Sequence, residues 1–191
     1  MSAEIKTLRL FFALWPDEAV RTSLARIVEA LKQTNTARWV KPENLHITLA
    51  FLGGVDEDRL PLINRVADSV VGQSFELNLD RIEFWPRSEI ICLSPTRAPE
   101  GLKSLANSLI AELGRVGFAM ENRPYRAHLT LARKGRPGCL SSQVLDHPIC
   151  WNVSSFSLIE SQISRTGSTY LMRKSWDLPR FQTVPDGSYV R

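Results

Sequence analysis

Apolar positions recur along the chain with two periods, and the switches between them outline a series of elements. "LRLFFALW" runs almost without a polar break to Pro16, the pattern of a buried strand. Asp17 then opens a helix with an acidic first turn, and Val20, Leu24, Ile27, Val28 and Leu31 keep the helical spacing behind it. "LHITLAFLG" returns to a strand that is expected to stop at Gly53 and Gly54. Apolar stripes every three or four residues predict two more helices, over 56–71 and 100–116. "FELNLDRIEFWP" and "EIICLSP" read as an antiparallel pair of strands. After the second histidine strand come "CWNVSSFSLIESQI" and "TYLMRKSWDL", joined by the turn-forming "SRTGS". The polar, proline-containing stretch from Pro179 reads as a tail.

No low-complexity segment or Ser/Gly-rich linker interrupts this order, so residues 1–178 are expected to form a single domain and 179–191 a C-terminal tail. Each half contributes strand, helix and strand elements. The expected fold is α+β: two pseudo-symmetric lobes of largely antiparallel sheet with outer helices, facing each other across a join. The 191 residues are 43% hydrophobic, enough to fill a core. The start, "MSAEIKTLRL", lacks a secretory signal's basic and apolar regions, and no run approaches a membrane span, which predicts a soluble, cytoplasmic protein. Cys92, Cys139 and Cys150 are odd in number and lack C-x-x-C spacing, so they read as reduced packing residues rather than a disulfide framework or zinc site. A net charge of +4 suits a polyanionic partner without demanding one.

Two of the three histidines lie in near-copies of one pentapeptide, "HITLA" from His46 and "HLTLA" from His128. Strand alternation turns Leu45, Ile47 and Leu49 to one face and His46, Thr48 and Ala50 to the other. In the second copy Leu129 and Leu131 face inward, opposite His128, Thr130 and Ala132. Each half then offers an imidazole, a hydroxyl and a small residue that leaves room above the sheet. Two imidazoles facing one cavity match displacement at phosphorus without a metal, since one removes a proton from the attacking oxygen and the other delivers one to the leaving oxygen. The threonine hydroxyls can donate to the non-bridging oxygens. Arg133 falls on the wrong side by strict alternation and reaches the pocket only if the strand ends or bulges there. Strand propensity alone can produce an isolated H-x-T, but it does not account for two distant near-identical copies. Two histidines without Cys or carboxylate support make a poor zinc set. His147, before a proline, reads as a loop residue without a role.

In these motifs, their separation and the opening "RLFFALWP", the chain resembles the two-histidine phosphoesterases, and within them the bacterial RNA 2′,3′-cyclic phosphodiesterases, also described as 2′-5′ RNA ligases. The resemblance implies a bilobal fold with both motifs in a central groove, no metal or other cofactor, and hydrolysis of RNA 2′,3′-cyclic phosphate ends to 2′-phosphates. It carries over His46 and His128 as the catalytic pair, and Thr48, Thr130 and Arg133 as the substrate-binding groups. It further implies that His128 activates water while His46 protonates the departing 3′ oxygen. Exchanging water for an RNA 5′-hydroxyl makes the same residues a ligase, and no G-x-x-x-x-G-K-[ST] run argues for an ATP site.

Basic residues around the second motif, Arg123, Arg126, Lys134 and Arg136, either line the groove or form a solvated loop. Phe51, Trp39 and Tyr125 are candidates for stacking on a base, with alternation assigning Phe51 to the core. The expected partner is RNA bearing 2′,3′-cyclic phosphate ends, with no membrane, no obligate protein partner and a monomeric chain. The competing reading is a non-catalytic nucleotide- or RNA-binding module in the same groove. That module has no use for two titratable groups.

Overall fold

The structure, a computed structural model, describes residues 6–136, 140, 142–164 and 167–180. In chain order the elements are β1 (Thr7–Leu14), α1 (Glu18–Lys32), β2 (Arg38–Trp39), β3 (Ile47–Asp56), α2 (Leu60–Ser69), β4 (Phe75–Trp85), β5 (Ile90–Ser94), α3 (Glu100–Arg115), β6 (Leu129–Arg133), β7 (Gln143–Val153), β8 (Ser155–Ser164) and β9 (Gly167–Asp177). All strand pairs are antiparallel, and the strands join in the order β7-β4-β5-β6-β3-β1-β8-β9, with β2 beside β6.

This order makes the expected two halves visible within one sheet. The strands β7, β4, β5 and β6 form one arm, and β3, β1, β8 and β9 form the other. A single residue pair, Ile47 with Leu129, joins β3 to β6. Past that pair the arms part, and β2 takes up the edge of β6 through Arg38–Arg133 and Trp39–Ala132. The helices cover one face: Val20, Leu24, Val28 and Leu31 of α1, Ile63, Val66 and Ala67 of α2, and Leu102, Leu105, Ala106, Leu109 and Leu113 of α3 pack into one cluster with Leu45, Ile47, Leu129 and Leu131. On the opposite face Phe11, Ala13 and Ile159 form a second, smaller cluster that Trp15 and Tyr170 flank.

Most elements lie where the periodicity puts them. Asp17 caps α1 by accepting from the Val20 amide at 2.8 Å. Three expected elements are corrected. The β3 strand does not stop at Gly53 and Gly54; Gly53, at φ 74°, sits at a register shift and the pairing with β1 continues to Asp56. The helix expected over 56–71 is accordingly shorter, a 3₁₀ turn at Glu57–Arg59 followed by α2. "CWNVSSFSLIESQI" is not one strand, because the chain leaves β7 at Ser154 and enters β8 in the other arm. The carbonyl of Ser154 accepts from the Leu178 amide at 2.7 Å, which ties down the end of the last strand. Leu178 is buried in the core, and the Pro179 carbonyl accepts from the Ser74 amide. The tail beyond Arg180 and Cys139 lie outside the described residues.

His147 stands in β7 rather than in a loop; with the following Pro148 it lies in a register shift of the β4 pairing, between Val144 and Ile149, on an edge strand. Of the remaining cysteines, Cys92 is buried and Cys150 exposed, both as free thiols. Among the described residues no helix is long and apolar enough to cross a membrane.

Candidate active site

The two motifs flank the seam between the arms. Because Ile47 pairs with Leu129 in antiparallel sense, the residue before one lies toward the residue after the other. His46 is thus on the Thr130 side and His128 on the Thr48 side. Ile47 and Leu129 are fully buried in the core, so these four polar residues share the open face.

Both rings are held the same way. His46 Nδ1 lies 2.7 Å from the Asn44 carbonyl and His128 Nδ1 lies 2.9 Å from the Arg126 carbonyl, in each case the residue two positions back. A carbonyl only accepts, so Nδ1 carries the proton and Nε2 the lone pair. Neither Nε2 has a hydrogen-bond partner among the described residues. A tryptophan packs on each ring: Trp15 stacks on His46 with centroids 5.3 Å apart and planes at 10°, and Trp85 lies 4.6 Å from His128 at 47°. Phe11 and Tyr170 complete the surroundings of His46.

On the other side the surroundings are polar. Arg126 places its guanidinium over Trp85 at 4.1 Å and pairs with both oxygens of Glu83 at 3.0 Å. Ser94 donates to the same carboxylate at 2.9 Å. This cluster fixes the residue whose carbonyl orients His128. Nothing in the motifs points to it. The two tryptophans did leave a signal, a second repeat in which each is followed by proline, at Trp15–Pro16 and Trp85–Pro86.

Each motif also carries a bulge at the same place. In β3 the pairing with β1 passes from Ala13–Thr48 to Phe12–Ala50, skipping Leu49. In β6 the pairing with β5 passes from Cys92–Thr130 to Ile91–Ala132, skipping Leu131. The burial sequence along both segments is the same: buried, half-buried, buried, buried, exposed. The expectation that Ala50 and Ala132 leave room in the groove is therefore overturned, since both are packed in the core. The room comes instead from Ala13 and Cys92, paired with Thr48 and Thr130. Burial, reinforced by Glu83, pushes the Cys92 thiol up to about 12, so it stays protonated floor.

The same bulges decide the residues that follow. Arg133 is carried to the groove face, where its charge acts on both histidines. Phe51 is carried out of the core: it is 37% exposed, with Arg9 over its ring at 4.7 Å. Trp39 and Tyr125 pack against the core instead, and the Tyr125 hydroxyl donates to the Thr48 carbonyl at 3.2 Å. Of the basic residues near the second motif, Arg123 pairs with Glu121 and Arg126 with Glu83, while Lys134 and Arg136 are exposed.

Burial lowers the pKa of both rings. At His46 it brings the value down to about 4, opposed by the Asn44 carbonyl and aided by Arg133 and His128. At His128 burial again leads, opposed by the Arg126 carbonyl, with Arg123, Arg126 and Arg133 adding to it. At neutral pH, without a ligand, both rings are neutral bases beside an uncompensated cation.

Known proteins share this arrangement of elements. The sequence model of the LigT-like phosphoesterases matches residues 14–92. An RNA 2′,3′-cyclic phosphodiesterase of Escherichia coli is 32% identical over 174 residues, which span 89% of this chain and 96% of that protein. One from Archaeoglobus fulgidus is 30% identical over 169 residues, 87% and 94% of the two chains. The crystal structure of E. coli LigT complexed with 3′-AMP superposes with a TM-score of 0.84 at 30% identity, covering 91% of this chain and 99% of that one. Extending over nearly the full length of both chains, this similarity takes in both histidine motifs, and the chain belongs to the LigT-like phosphoesterase family.

Proposed function

We propose that the protein hydrolyses RNA 2′,3′-cyclic phosphate termini to 2′-phosphates by metal-independent acid–base catalysis, as a monomer in the cytoplasm, with residues 1–178 as the working domain. The observation that carries this reading is the matched pair of imidazoles: each has Nδ1 tied to a carbonyl and Nε2 left unpartnered, one on either side of the seam. The names of the relatives, RNA 2′,3′-cyclic phosphodiesterases, supply the substrate.

In this reading the cyclic phosphate lies over the floor formed by Ala13 and Cys92. Thr48 and Thr130 donate to its non-bridging oxygens, and Arg133 balances its charge. His128 Nε2 takes a proton from water as the water oxygen bonds to phosphorus. The bond from phosphorus to the 3′ oxygen breaks, and His46 delivers a proton to that oxygen, leaving the phosphate on the 2′ oxygen. His46 must first gain its proton. The anionic phosphate favours the imidazolium and offsets Arg133, so binding reverses the depression seen in the free protein. An RNA 5′-hydroxyl in place of water gives a 2′-5′ linkage by the same proton transfers.

The test is incubation of EDTA-treated protein with an RNA oligomer ending in a 2′,3′-cyclic phosphate, with the product's phosphate position resolved. Wild type is expected to yield a 2′-phosphate, and His46→Ala and His128→Ala each to lose at least about a hundredfold in kcat. Wild type that binds the oligomer without turnover favours the binding module instead.

A further inference from the structure

We infer that Arg38 forms a second phosphate-binding site, which holds the phosphodiester immediately upstream of the terminal nucleotide and makes the groove selective for an RNA strand over a mononucleotide. The inference rests on the proposed cyclic phosphodiesterase reaction and deepens it.

Four strands place Arg38. Arg38 pairs with Arg133, Arg133 with Ile90, and Ile90 with Trp85, so these residues form one row across β2, β6, β5 and β4. Residues in such a row share a face. Trp85 packs on the ring of His128, which fixes that face as the groove face. Two arginines thus stand directly opposite each other on adjacent strands, an arrangement that costs stability. No carboxylate relieves it: among the described residues neither guanidinium has a hydrogen bond or an ion-pair partner. Other cations near the second motif, Arg123 and Arg126, each have a glutamate. Among the described residues Lys134 and Arg136 also lack an ion pair but follow the end of β6, whereas Arg38 and Arg133 are uncompensated within the paired row itself.

Arg133 stands on the strand of the second motif and acts electrostatically on both histidines, whereas Arg38 stands on the neighbouring strand β2. Arg38 is therefore one step removed from the reacting phosphate. Its direction follows from the seam. Along β6, His128 comes first, then Thr130 with His46 beside it, then Arg133 and Arg38. The far end of Arg38 confirms the side: Nη2 lies 3.8 Å from where a Cβ on Gly167 would stand, at the start of β9, and Asn44, which orients His46, donates to the neighbouring Ser168 carbonyl at 3.0 Å. Arg38 is at the His46 end of the groove.

Chemistry puts the strand at the same end. The 3′ oxygen leaves phosphorus but stays on its ribose, so the ribose lies beside the ring that protonates it. With His46 as the acid, the ribose and everything 5′ of it extend past His46. The next anionic group in that direction is the upstream phosphodiester, and the next unpaired guanidinium is Arg38. A guanidinium suits a phosphate's paired oxygens.

The measurement is kcat/KM for two substrates, an RNA oligomer ending in a 2′,3′-cyclic phosphate and a nucleoside 2′,3′-cyclic phosphate, in wild type and Arg38→Ala, over a range of salt. The ratio of oligomer to mononucleotide kcat/KM is expected to fall about tenfold in the variant. The logarithmic salt dependence for the oligomer should become shallower by about 0.7, one single-strand phosphate contact. An unchanged ratio, whether both values drop together or neither does, overturns the inference, as does an unchanged salt slope. Wild type that hydrolyses neither substrate overturns the reaction itself and the role of Arg38 with it.

Discussion

The chemistry of the two histidines is set by what each residue is denied. Each ring is half-buried, a carbonyl occupies Nδ1, and nearby arginines penalise the imidazolium. The repeated pentapeptide made His46 and His128 legible, and the Trp-Pro repeat marked Trp15 and Trp85 without their role; Glu83 was not legible, since its partners Arg126 and Ser94 come from elsewhere in the chain, nor was Asn44, which acts through a backbone carbonyl that its side chain does not announce. A pH dependence follows from the lowered pKa values. The base must be neutral, a form present above its pKa, and the acid must be protonated, a form present below its own. In the free protein one value is about 4 and the other is also below the ordinary 6.5. The profile of kcat/KM, which reports free-enzyme groups, should therefore peak on the acid side of pH 6.5 and decline as pH rises through the higher of the two. Bound phosphate raises both values, so the kcat profile should lie at higher pH. Measuring the two profiles on one substrate checks this, and a kcat/KM optimum above pH 7 contradicts it.

At the scale of the element, simple alternation is reliable only as far as the threonine of each motif. It places Ile47 and Leu129 in the core and His46 and His128 opposite, and the structure agrees. Beyond Thr48 and Thr130 it inverts, because each strand inserts one extra residue against its neighbour. A register shift depends on the partner strand, so the pattern within "HITLAFLG" holds no trace of it. Its consequences are the exposure of Phe51, the delivery of Arg133 to the groove and the burial of both alanines. This last point is measurable. If the alanines bordered open space, leucine there would be tolerated. Since Ala50 and Ala132 are 3% and 0% exposed within the core, Ala50→Leu and Ala132→Leu should each cost about 1–3 kcal/mol by overpacking. Urea denaturation of the two variants reads this directly, and stabilities equal to wild type would return the alanines to the groove.

At the scale of the molecule, duplication was readable in the sequence, but the way the halves connect was not. Ser154 alone separates two strands from opposite arms, and no turn residue or linker marks the crossing. The two imidazoles are divided between arms whose sheet pairing is a single residue pair, so their separation depends on that pair, on the shared core beneath it and on the side-chain bonds that cross the seam. Tyr125 makes one of them. It lies just before the second motif, burial pushes its phenol well above the usual range, and its hydroxyl donates across the seam to the Thr48 carbonyl on the first motif's strand. Tyr125→Phe keeps the ring in the core and removes only that bond, leaving a carbonyl without its partner. The expected loss of stability is about 1 kcal/mol. The effect on turnover should be larger than this suggests, because in-line displacement needs both rings aligned on one phosphorus, and a small misplacement is costly. The loss should appear in kcat, with KM little changed, since Thr48, Thr130 and Arg133 all remain. Steady-state kinetics beside a melting curve separates these effects. A variant that melts about as expected but turns over like wild type would show that the Ile47–Leu129 pair and the packed core hold the arms without help from Tyr125.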